Sequence, residues 1–230
     1  MIEDSRMKSK TIVITGATGI LGNLAAKTFA ERGHNIALLD KDQNKLDSLV
    51  RDLNLPNERL HTQTIDLLNR PAVHAAAEAV LSKFGSVHAL IHLVGGWTGG
   101  RSIPESSVDD FVSMLNQHAW TTFHLLQSFV PHIAASKWGR VMIVSMPVTV
   151  TPAAKMALYA AAKSAQESLV LTLAEEYKDS GLAANIIHVK SIDTKGEGKG
   201  TTPAEIVSAM TYLFSDEAGK INGARIALFG

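Results

Sequence analysis

The sequence predicts an α/β fold, in which a doubly wound parallel sheet of about seven strands has helices on both faces. Two observations carry this prediction. Short apolar, β-branched runs alternate with longer segments of helical periodicity along the chain. The short runs are also apolar at nearly every position, as strands are when helices cover both faces of a parallel sheet.

The predicted strands are runs such as Thr-Ile-Val-Ile-Thr near the start and Arg-Val-Met-Ile-Val-Ser in the second half. In chain order they are Thr11–Thr15, Asn35–Asp40, Leu60–Asp66, Val87–Val94, Arg140–Ser145, Ala183–Val189 and Ala224–Phe229. The helical segments between them are Ile20–Arg32, Gln43–Leu53, Arg70–Phe84, Val108–Ala135, Leu158–Asp179 and Pro203–Phe214. Because neither a long linker nor an internal repeat divides these elements, we expect residues 10–230 to form a single domain. We expect residues 1–9 to be a flexible N-terminal tail.

The composition excludes several classes of function. The 22 Lys and Arg residues balance the 22 Asp and Glu residues, so the chain lacks the basic surplus of a nucleic-acid-binding protein. It contains no cysteine, which excludes disulfides, cysteine-based metal sites and a thiol nucleophile. The nine histidines show no metal-binding spacing; we expect His92 to be a hydrogen-bonded core residue, and His118 to lie in solvent or at a subunit contact. With no secretory signal and no apolar run near the ~18 residues that span a membrane, we expect a cytoplasmic protein without a metal.

A glycine-rich turn follows the first predicted strand. Gly16 permits a tight turn, Gly19 lets the backbone approach a pyrophosphate, and Gly22 lets the following helix pack closely on the strand. The N-terminus of that helix presents unpaired N–H groups and the positive end of the helix dipole. The sequence therefore predicts a dinucleotide site and a Rossmann-like fold.

An acidic residue, Asp40, ends the second predicted strand about 20 residues after the glycine turn. At this place a carboxylate accepts hydrogen bonds from the adenosine ribose and repels a 2′-phosphate, so the sequence favours NAD(H) over NADP(H). Asp66 ends the third strand and has two interpretations: it contacts the edge of the adenine ring, or it is a turn residue.

Tyr159 and Lys163 are four residues apart near the start of a predicted helix, which places both side chains on one helix face. A lysine ammonium beside a phenol favours the phenolate and lowers the pKa of the phenol from ~10. Tyr159 is then a usable acid or base for interconverting a carbonyl and an alcohol. Behind a dinucleotide turn, this pair indicates a redox enzyme rather than an incidental helix face.

Over residues 8–230 the chain resembles the short-chain dehydrogenase/reductase (SDR) family. The resemblance rests on the glycine turn, Asp40, Asp66, the Tyr159–Lys163 pair and the segment Asn222-Gly223-Ala224-Arg225-Ile226, together with Asn116, Gly139-Arg140-Val141 and Thr194. It implies that Tyr159 donates a proton, Lys163 binds the nicotinamide ribose, Asn116 holds a relay water and Thr194 contacts the carboxamide. It further implies cofactor contacts at Thr18, Ile20, Leu21, Leu67, Val94 and Gly95, and a homodimer or homotetramer formed through the two long helices.

The chain departs from the family where the active-site serine is expected, because that position is Met146. Three alternatives remain: a bulge re-aims Ser145, Thr149 or Ser191 supplies the hydroxyl, or the chemistry proceeds without one. Loss of one oxyanion donor typically costs ~3 kcal/mol in transition-state stabilisation. The missing serine, the glycine spacing and the run Gly95–Gly100 around Trp97 resemble the dihydropteridine reductases within the family. Trp97 is either a surface for stacking a flat substrate or a loop aromatic that covers the core.

Two functions follow from these patterns. The first is an NAD(P)(H)-dependent oxidoreductase that transfers hydride between nicotinamide and a small carbonyl, alcohol or conjugated-imine substrate. The alternative is a non-catalytic dinucleotide-binding protein, such as a sensor or a silent subunit, which Met146 favours and the Tyr159–Lys163 pair opposes. The sequence does not specify the substrate or the direction of reaction.

Overall fold

The computed structural model describes residues 9–229. The predicted N-terminal tail, apart from Ser9, lies outside the described residues. Within the described part, seven parallel strands form one sheet in the order β3-β2-β1-β4-β5-β6-β7. The strands are β1 Thr11–Thr15, β2 Asn35–Asp40, β3 Leu60–Thr64, β4 Ala89–His92, β5 Gly139–Ser145, β6 Leu182–His188 and β7 Arg225–Ala227. The predicted fold class is confirmed.

The strands alternate with helices as predicted. The helices are α1 Ile20–Glu31, α2 Gln43–Leu53, α3 Arg70–Phe84, α4 Val108–Leu115, α5 Thr121–Ala135, α6 Ala157–Glu176 and α7 Pro203–Phe214. Strand order reverses between β1 and β4, which leaves a crevice at the carboxyl ends of these neighbouring strands. Parallel α/β sheets bind their ligands in such a crevice.

The core has two layers, one on each face of the sheet. On β1, Ile12 and Ile14 belong to a buried cluster that includes residues of α1 and α7. Val13 points to the opposite face and joins a cluster with residues of α3, α5 and α6. Side chains alternate across a strand, so burial at every position of β1 explains why the sequence there is continuously apolar.

The long helix predicted at Val108–Ala135 is interrupted by a π-turn at Asn116–Trp120. There the Thr121 N–H bonds to the carbonyl of Asn116, five residues earlier. The hydroxyls of Thr121 and Thr122 donate to the carbonyls of Gln117 at 2.8 Å and His118 at 2.6 Å. These side-chain bonds help to satisfy carbonyls in the widened turn, and such turns are frequent at functional sites.

Strands β3, β4 and β7 are shorter than predicted, because residues 65–66, 87–88, 93–94, 224 and 228–229 lie outside the strands. Among residues 9–229, no helix has the length and apolar character needed to cross a membrane. The same described range contains no cluster of three or more His, Asp or Glu side chains suited to a metal ion.

Candidate active site

A cavity of about 480 Å³ lies at the carboxyl ends of the central strands; we call it the site cavity. It brings together most of the residues predicted for cofactor, substrate and catalysis. Those that line it are Gly16, Gly19, Ile20, Leu21, Gly22, Val94, Gly95, Trp97, Ser145, Met146, Tyr159, Lys163, Ser191 and Thr194. Thr18, Asp40, Asp66, Leu67 and Asn116 are not part of this lining.

The glycine turn is tightly packed at both ends and open in the middle. Gly16 has φ +67°, and a Cβ there would lie 2.9 Å from the carbonyl carbon of Leu93. A Cβ on Gly22 would lie 2.3 Å from the Gly16 oxygen, whereas a Cβ on Gly19 would come no closer than 3.4 Å to its nearest neighbour. Helix α1 begins directly after Gly19 and has no acidic residue in its first turn. Because Gly19 and Ile20 line the cavity, the positive N-terminal end of α1 borders it, as an anion site requires.

Asp40 holds the glycine turn in place. Its Oδ2 accepts hydrogen bonds from both the backbone N–H and the hydroxyl of Thr18, each at 2.9 Å. Its other oxygen accepts from the backbone N–H of Lys41 at 2.8 Å. The cap of helix α2 is instead Asp42, which accepts from the Lys45 N–H. Asp40 thus remains a half-buried carboxylate at the end of β2, next to the dinucleotide turn.

The residues after β3 make local contacts. Asp66 accepts a hydrogen bond from the backbone N–H of Leu68 at 2.9 Å, as its interpretation as a turn residue requires. The contact of Asp66 with an adenine ring stays a prediction. Leu67 has a buried side chain, and its carbonyl accepts from His124 Nδ1 at 2.9 Å.

Tyr159 and Lys163 both reach the site cavity from helix α6, but the lysine ammonium does not pair with the phenol. Lys163 Nζ lies 6.0 Å from the centre of the Tyr159 ring and donates to Val144 O and to Gln166 Oε1, both at 2.8 Å. Burial raises the pKa of Tyr159 to about 12. The predicted lowering of the phenol pKa by Lys163 is therefore wrong for this conformation. Burial also lowers the pKa of Lys163 to about 8, against the opposing effect of Glu167.

Ser145 is buried, and its hydroxyl donates to Glu167 Oε1 at 2.5 Å. Strand β5 pairs with β6 in an unbroken register from Gly139 to Ser145, so no bulge re-aims the serine. Met146, the next residue, lines the site cavity and brings no hydroxyl. Ser145 also belongs to the cavity lining, but its hydroxyl is engaged by Glu167.

The two other candidate hydroxyls also have protein partners. Thr149 donates to the Met146 carbonyl at 3.1 Å. Ser191 donates to the Lys199 carbonyl at 3.1 Å and lines the site cavity. Of these two hydroxyls, only that of Ser191 belongs to a residue of the cavity lining.

The segment after β6 is short and exposed. Thr194 and residues 195–200 are exposed, whereas Asp193 is buried and accepts backbone hydrogen bonds from Lys195, Glu197 and Gly198. These bonds fold the segment around one carboxylate. It therefore borders the site cavity at Thr194 without an apolar lid of its own.

Sequence reasoning missed His118, which it placed in solvent or at a subunit contact. The π-turn instead buries it beside the site cavity, where it is 1% exposed. His118 Nε2 donates to Gly96 O at 2.9 Å, and its ring meets the Tyr159 ring edge-on with centroids 5.4 Å apart. Burial lowers the pKa of His118 to about 4, so the ring is neutral at pH 7. The helical pattern gave no signal for the π-turn and hence none for this placement.

Three further predicted residues lie at or near the edge of this site. His92, predicted as a hydrogen-bonded core histidine, bonds Thr15 Oγ1 through Nδ1 at 2.6 Å and also borders the site cavity. Asn116 begins the π-turn, and its carbonyl accepts from Thr121. The predicted relay water on Asn116 stays a prediction. Trp97 is 58% exposed on the cavity wall, which makes it accessible to a substrate.

Comparisons with known proteins bear on the family and the fold. A family model for the short chain dehydrogenases matches residues 10–203. A meso-2,3-butanediol dehydrogenase from Serratia marcescens is 27% identical over 242 residues, which cover 98% of this chain and 95% of the relative. The structure of NAD⁺-bound xylitol dehydrogenase has a TM-score of 0.87 at 20% identity, covering 95% of this chain and 97% of that one.

A second solved structure, of a short chain dehydrogenase from Escherichia coli CFT073 complexed with NADPH, has a TM-score of 0.86 at 24% identity. The match covers 95% of this chain and 95% of that one. At these identities the two structures show a shared fold, while the family match extends over most of the chain itself. The chain therefore belongs to the short chain dehydrogenase family of oxidoreductases.

Proposed function

We propose that this protein is an NAD(P)(H)-dependent oxidoreductase that acts on a small carbonyl, alcohol or conjugated-imine substrate, with Tyr159 as the general acid/base. One observation carries the proposal: the site cavity joins the glycine turn at the start of α1 to Tyr159 and Lys163 on α6. A dinucleotide site and a proton donor within one crevice are the two parts that this chemistry needs.

The residues around the site cavity fit a nicotinamide dinucleotide. Gly19 has no atom within 3.4 Å of a Cβ position, so backbone N–H groups at the α1 N-terminus are accessible to a pyrophosphate. Val94, Gly95, Lys163 and Thr194 also line the cavity, and they would hold the nicotinamide ribose and carboxamide. When bound, the cofactor supplies or accepts the hydride.

The protein's own contribution is the proton. Tyr159 is protonated at neutral pH, because burial raises its pKa to about 12, and it can donate to a substrate oxygen or nitrogen. Met146 has no hydroxyl to polarise the substrate, so Tyr159 carries that task with little help from β5. This arrangement favours a substrate that is already activated for reduction, as a conjugated imine is. The exposed indole of Trp97 offers such a flat substrate a surface for stacking.

The cofactor preference is tested at Asp40. We expect the wild-type protein to bind NADH about tenfold more tightly than NADPH, because the carboxylate repels a 2′-phosphate. Asp40→Asn keeps an acceptor for Thr18 but removes the charge. It should therefore raise the affinity for NADPH and narrow the difference in affinity between NADH and NADPH. Calorimetric titration with each cofactor measures this, and Asp42→Asn on the α2 cap is the matched control. Stronger binding of NADPH than of NADH by the wild type contradicts the assignment.

A non-catalytic dinucleotide-binding protein is the second candidate. Two observations favour it: the Ser145 hydroxyl donates to Glu167, and Met146, which stands where the family's serine is expected, lines the cavity without a hydroxyl. The decisive experiment combines NADH binding by thermal shift with a panel of carbonyl and dihydropteridine substrates followed by nicotinamide absorbance. Turnover that is lost in Tyr159→Phe supports the oxidoreductase, whereas tight NADH binding with no turnover on any substrate supports the alternative.

A further inference from the structure

Gln166 is a buried amide on helix α6, less than one turn after Lys163, and it is 1% exposed. Its Oε1 accepts a hydrogen bond from Lys163 Nζ at 2.8 Å, and its Nε2 donates to Thr122 Oγ1 at 2.8 Å. The Thr122 hydroxyl in turn donates to the His118 carbonyl at 2.6 Å. Three consecutive hydrogen bonds therefore connect the lysine ammonium to the π-turn.

The donors of Lys163 can be counted. An ammonium has three N–H groups, of which one bonds Val144 O and one bonds Gln166 Oε1. The side chain is buried, and a buried charge is tolerated only where hydrogen bonds compensate for lost hydration. Because Lys163 also lines the site cavity, its third N–H is the donor that remains for a ligand.

We propose that Gln166 is a positioning residue, which ties the Lys163 ammonium to the π-turn and so reserves one N–H of that ammonium for the ligand of the site cavity. The identification of this ligand as a nicotinamide dinucleotide rests on the proposed function. The contacts of Gln166 do not depend on it.

The cost of burying an amide supports a specific role for Gln166. Burial of an amide carbonyl or NH₂ group without a hydrogen-bond partner destabilises the folded protein. In Gln166, however, the carbonyl accepts one hydrogen bond and the NH₂ group donates one. A leucine would fill the same place on a buried helix face at no such cost. This chain of hydrogen bonds instead restricts the rotamers of its members, which is what holding a flexible lysine requires.

Four titratable groups face Lys163, and they decide how its charge responds to Gln166. Burial keeps His118 and His92 neutral, with pKa values of about 4 and about 3, and burial holds the pKa of Tyr159 near 12. The carboxylate of Glu167 is the charged neighbour and favours the ammonium. With these groups constant, removal of the Gln166 acceptor should lower the pKa of Lys163 further below about 8.

The first experiment follows the titration of Lys163 in the free protein, by NMR of ε-¹³C-lysine assigned with Lys163→Met. We expect Gln166→Leu to lower the midpoint by about one pH unit, since a hydrogen bond to a charged group is lost. Gln166→Glu should raise the midpoint, because it keeps the acceptor and adds negative charge. Thr122→Val should lower it, and its effect should not add to that of Gln166→Leu.

Gln127→Leu, which changes an exposed glutamine on α5, is the matched control and should leave the midpoint unchanged. An unchanged midpoint in Gln166→Leu, or a downward shift in Gln166→Glu, overturns the proposal. If Gln166→Leu does not fold, the opposite shifts expected for Gln166→Glu and Thr122→Val still decide the matter.

The second experiment measures NADH affinity from pH 6 to pH 10 by titration in the wild type and the same variants. The pH at which affinity falls should move with the Lys163 midpoint in each variant. No NADH binding by the wild type would contradict the proposed function, while the shifts of the Lys163 midpoint would still test the role of Gln166. Variants that shift the midpoint without moving the pH dependence of NADH affinity would overturn the reserved-donor role.

Discussion

Tyr159 is the residue on which the proposed chemistry depends most directly, and its protonation has a testable consequence. Because burial raises its pKa to about 12, the phenol is a proton donor throughout the neutral range and becomes a base only at high pH. Tyr159→Phe should lower kcat for carbonyl reduction by roughly 10²–10⁴-fold, the usual contribution of a positioned acid. Ultraviolet difference titration of wild type against Tyr159→Phe should show no tyrosinate from this residue until the pH approaches that value.

The control for this prediction is Tyr212→Phe, which changes an exposed phenol on α7 and should leave kcat unchanged. A tyrosinate signal that is missing in Tyr159→Phe but forms near neutral pH in the free wild type would refute the protonation state described above. Equal kcat values for wild type and Tyr159→Phe would refute the catalytic role itself.

The sequence predicted which residues share the site but not how each is bonded. The spacing of Tyr159 and Lys163 fixes their common helix face, because residues four apart lie one above the other. It does not fix where the lysine head lies, since four rotatable bonds let Nζ reach Val144 O and Gln166 instead of the phenol. Ser145 shows the same limit, because its partner Glu167 comes from another element.

The glycine turn joins a strand to a helix, and two of its three glycines should respond differently to substitution by alanine. Gly22→Ala should destabilise the protein by several kcal/mol, because its Cβ would lie 2.3 Å from the Gly16 oxygen and overpacking against backbone has no cheap relief. Gly19→Ala should fold normally, since its Cβ meets nothing closer than 3.4 Å. It should nevertheless weaken NADH binding, because the methyl group would occupy space that the pyrophosphate needs.

Urea denaturation and NADH titration of the two variants measure these effects separately. Gly33→Ala is a useful reference, because its Cβ would meet no atom within 4 Å and only its φ of +89° is strained. If Gly19→Ala proved as destabilising as Gly22→Ala, or if it bound NADH as well as the wild type does, the division of roles within the turn would be wrong.

Four elements meet at the buried carboxylate of Glu167 on α6. It accepts hydrogen bonds from Ser145 on β5, from His188 Nε2 on β6 at 2.8 Å and from Arg225 Nε on β7 at 2.6 Å. Burial alone would raise the pKa of this carboxyl, but the bonds from His188, Ser145 and Arg225 outweigh burial and lower it to about 2. The ionised carboxylate therefore links α6 to the last three strands of the sheet by hydrogen bonds.

This cluster predicts a pH dependence of stability. The folded pKa lies below the ordinary value of 4.5, so the ionised group stabilises the fold above that pH, and this contribution is lost as the pH falls from about 4.5 to about 2. Glu167→Gln should lower the free energy of unfolding by roughly 3 kcal/mol at pH 7. Urea denaturation over the acid range should show the difference from wild type shrinking toward pH 2.

Glu175→Gln on the same helix is the control, because Glu175 is exposed and its pair with Lys178 contributes little. A difference between wild type and Glu167→Gln that stays constant from pH 7 to pH 2 would mean that the charge of Glu167 does not stabilise the fold.

At the level of elements, the apolar pattern predicted the bounds of several regular strands and helices, but it did not predict the irregular hydrogen bonding of the π-turn. Strands β1 and β2 and helices α2, α3 and α7 have the bounds predicted from the sequence, because each is delimited by a turn or a capping residue next to a continuous apolar or periodic run. The π-turn was not predictable, since Asn116–Trp120 keeps helical dihedral angles at both flanks and the residues around it keep a helical pattern. His118, which that turn carries into the site, was missed for the same reason.

The whole molecule places its chemistry in one crevice and leaves another surface apolar. The residues of the site cavity come from positions 16–194 and meet because parallel strands end at the same edge of the sheet. With a formal net charge of zero, the molecule has no overall field to draw in a phosphate-bearing cofactor. We therefore expect the N-terminus of α1 to supply the local attraction. The exposed apolar side chains of α4 and α5 take no part in this site.

These side chains support the predicted homodimer or homotetramer formed through the two long helices. Val112, Trp120 and Phe123 are 48%, 50% and 40% exposed along α4, the π-turn and α5. The other side of this helical face already packs on the core. Burial of the exposed apolar side chains against a second copy is therefore favourable, because it removes apolar surface from water. We expect light scattering after gel filtration to give a mass of at least twice 24.7 kDa.

Trp120→Glu combined with Phe123→Glu should shift that mass to the monomer, because two carboxylates facing their symmetry mates in an isologous interface would lose hydration without gaining a partner. Leu68→Glu, a charge introduced at an exposed leucine after β3, is the control and should leave the mass unchanged. Because an oligomer dissociates when it unfolds, the melting temperature of the wild type should rise with protein concentration. The melting temperature of the double variant should not depend on protein concentration. A monomeric wild type, or a double variant that keeps the mass of the wild type, would show that this face has another role.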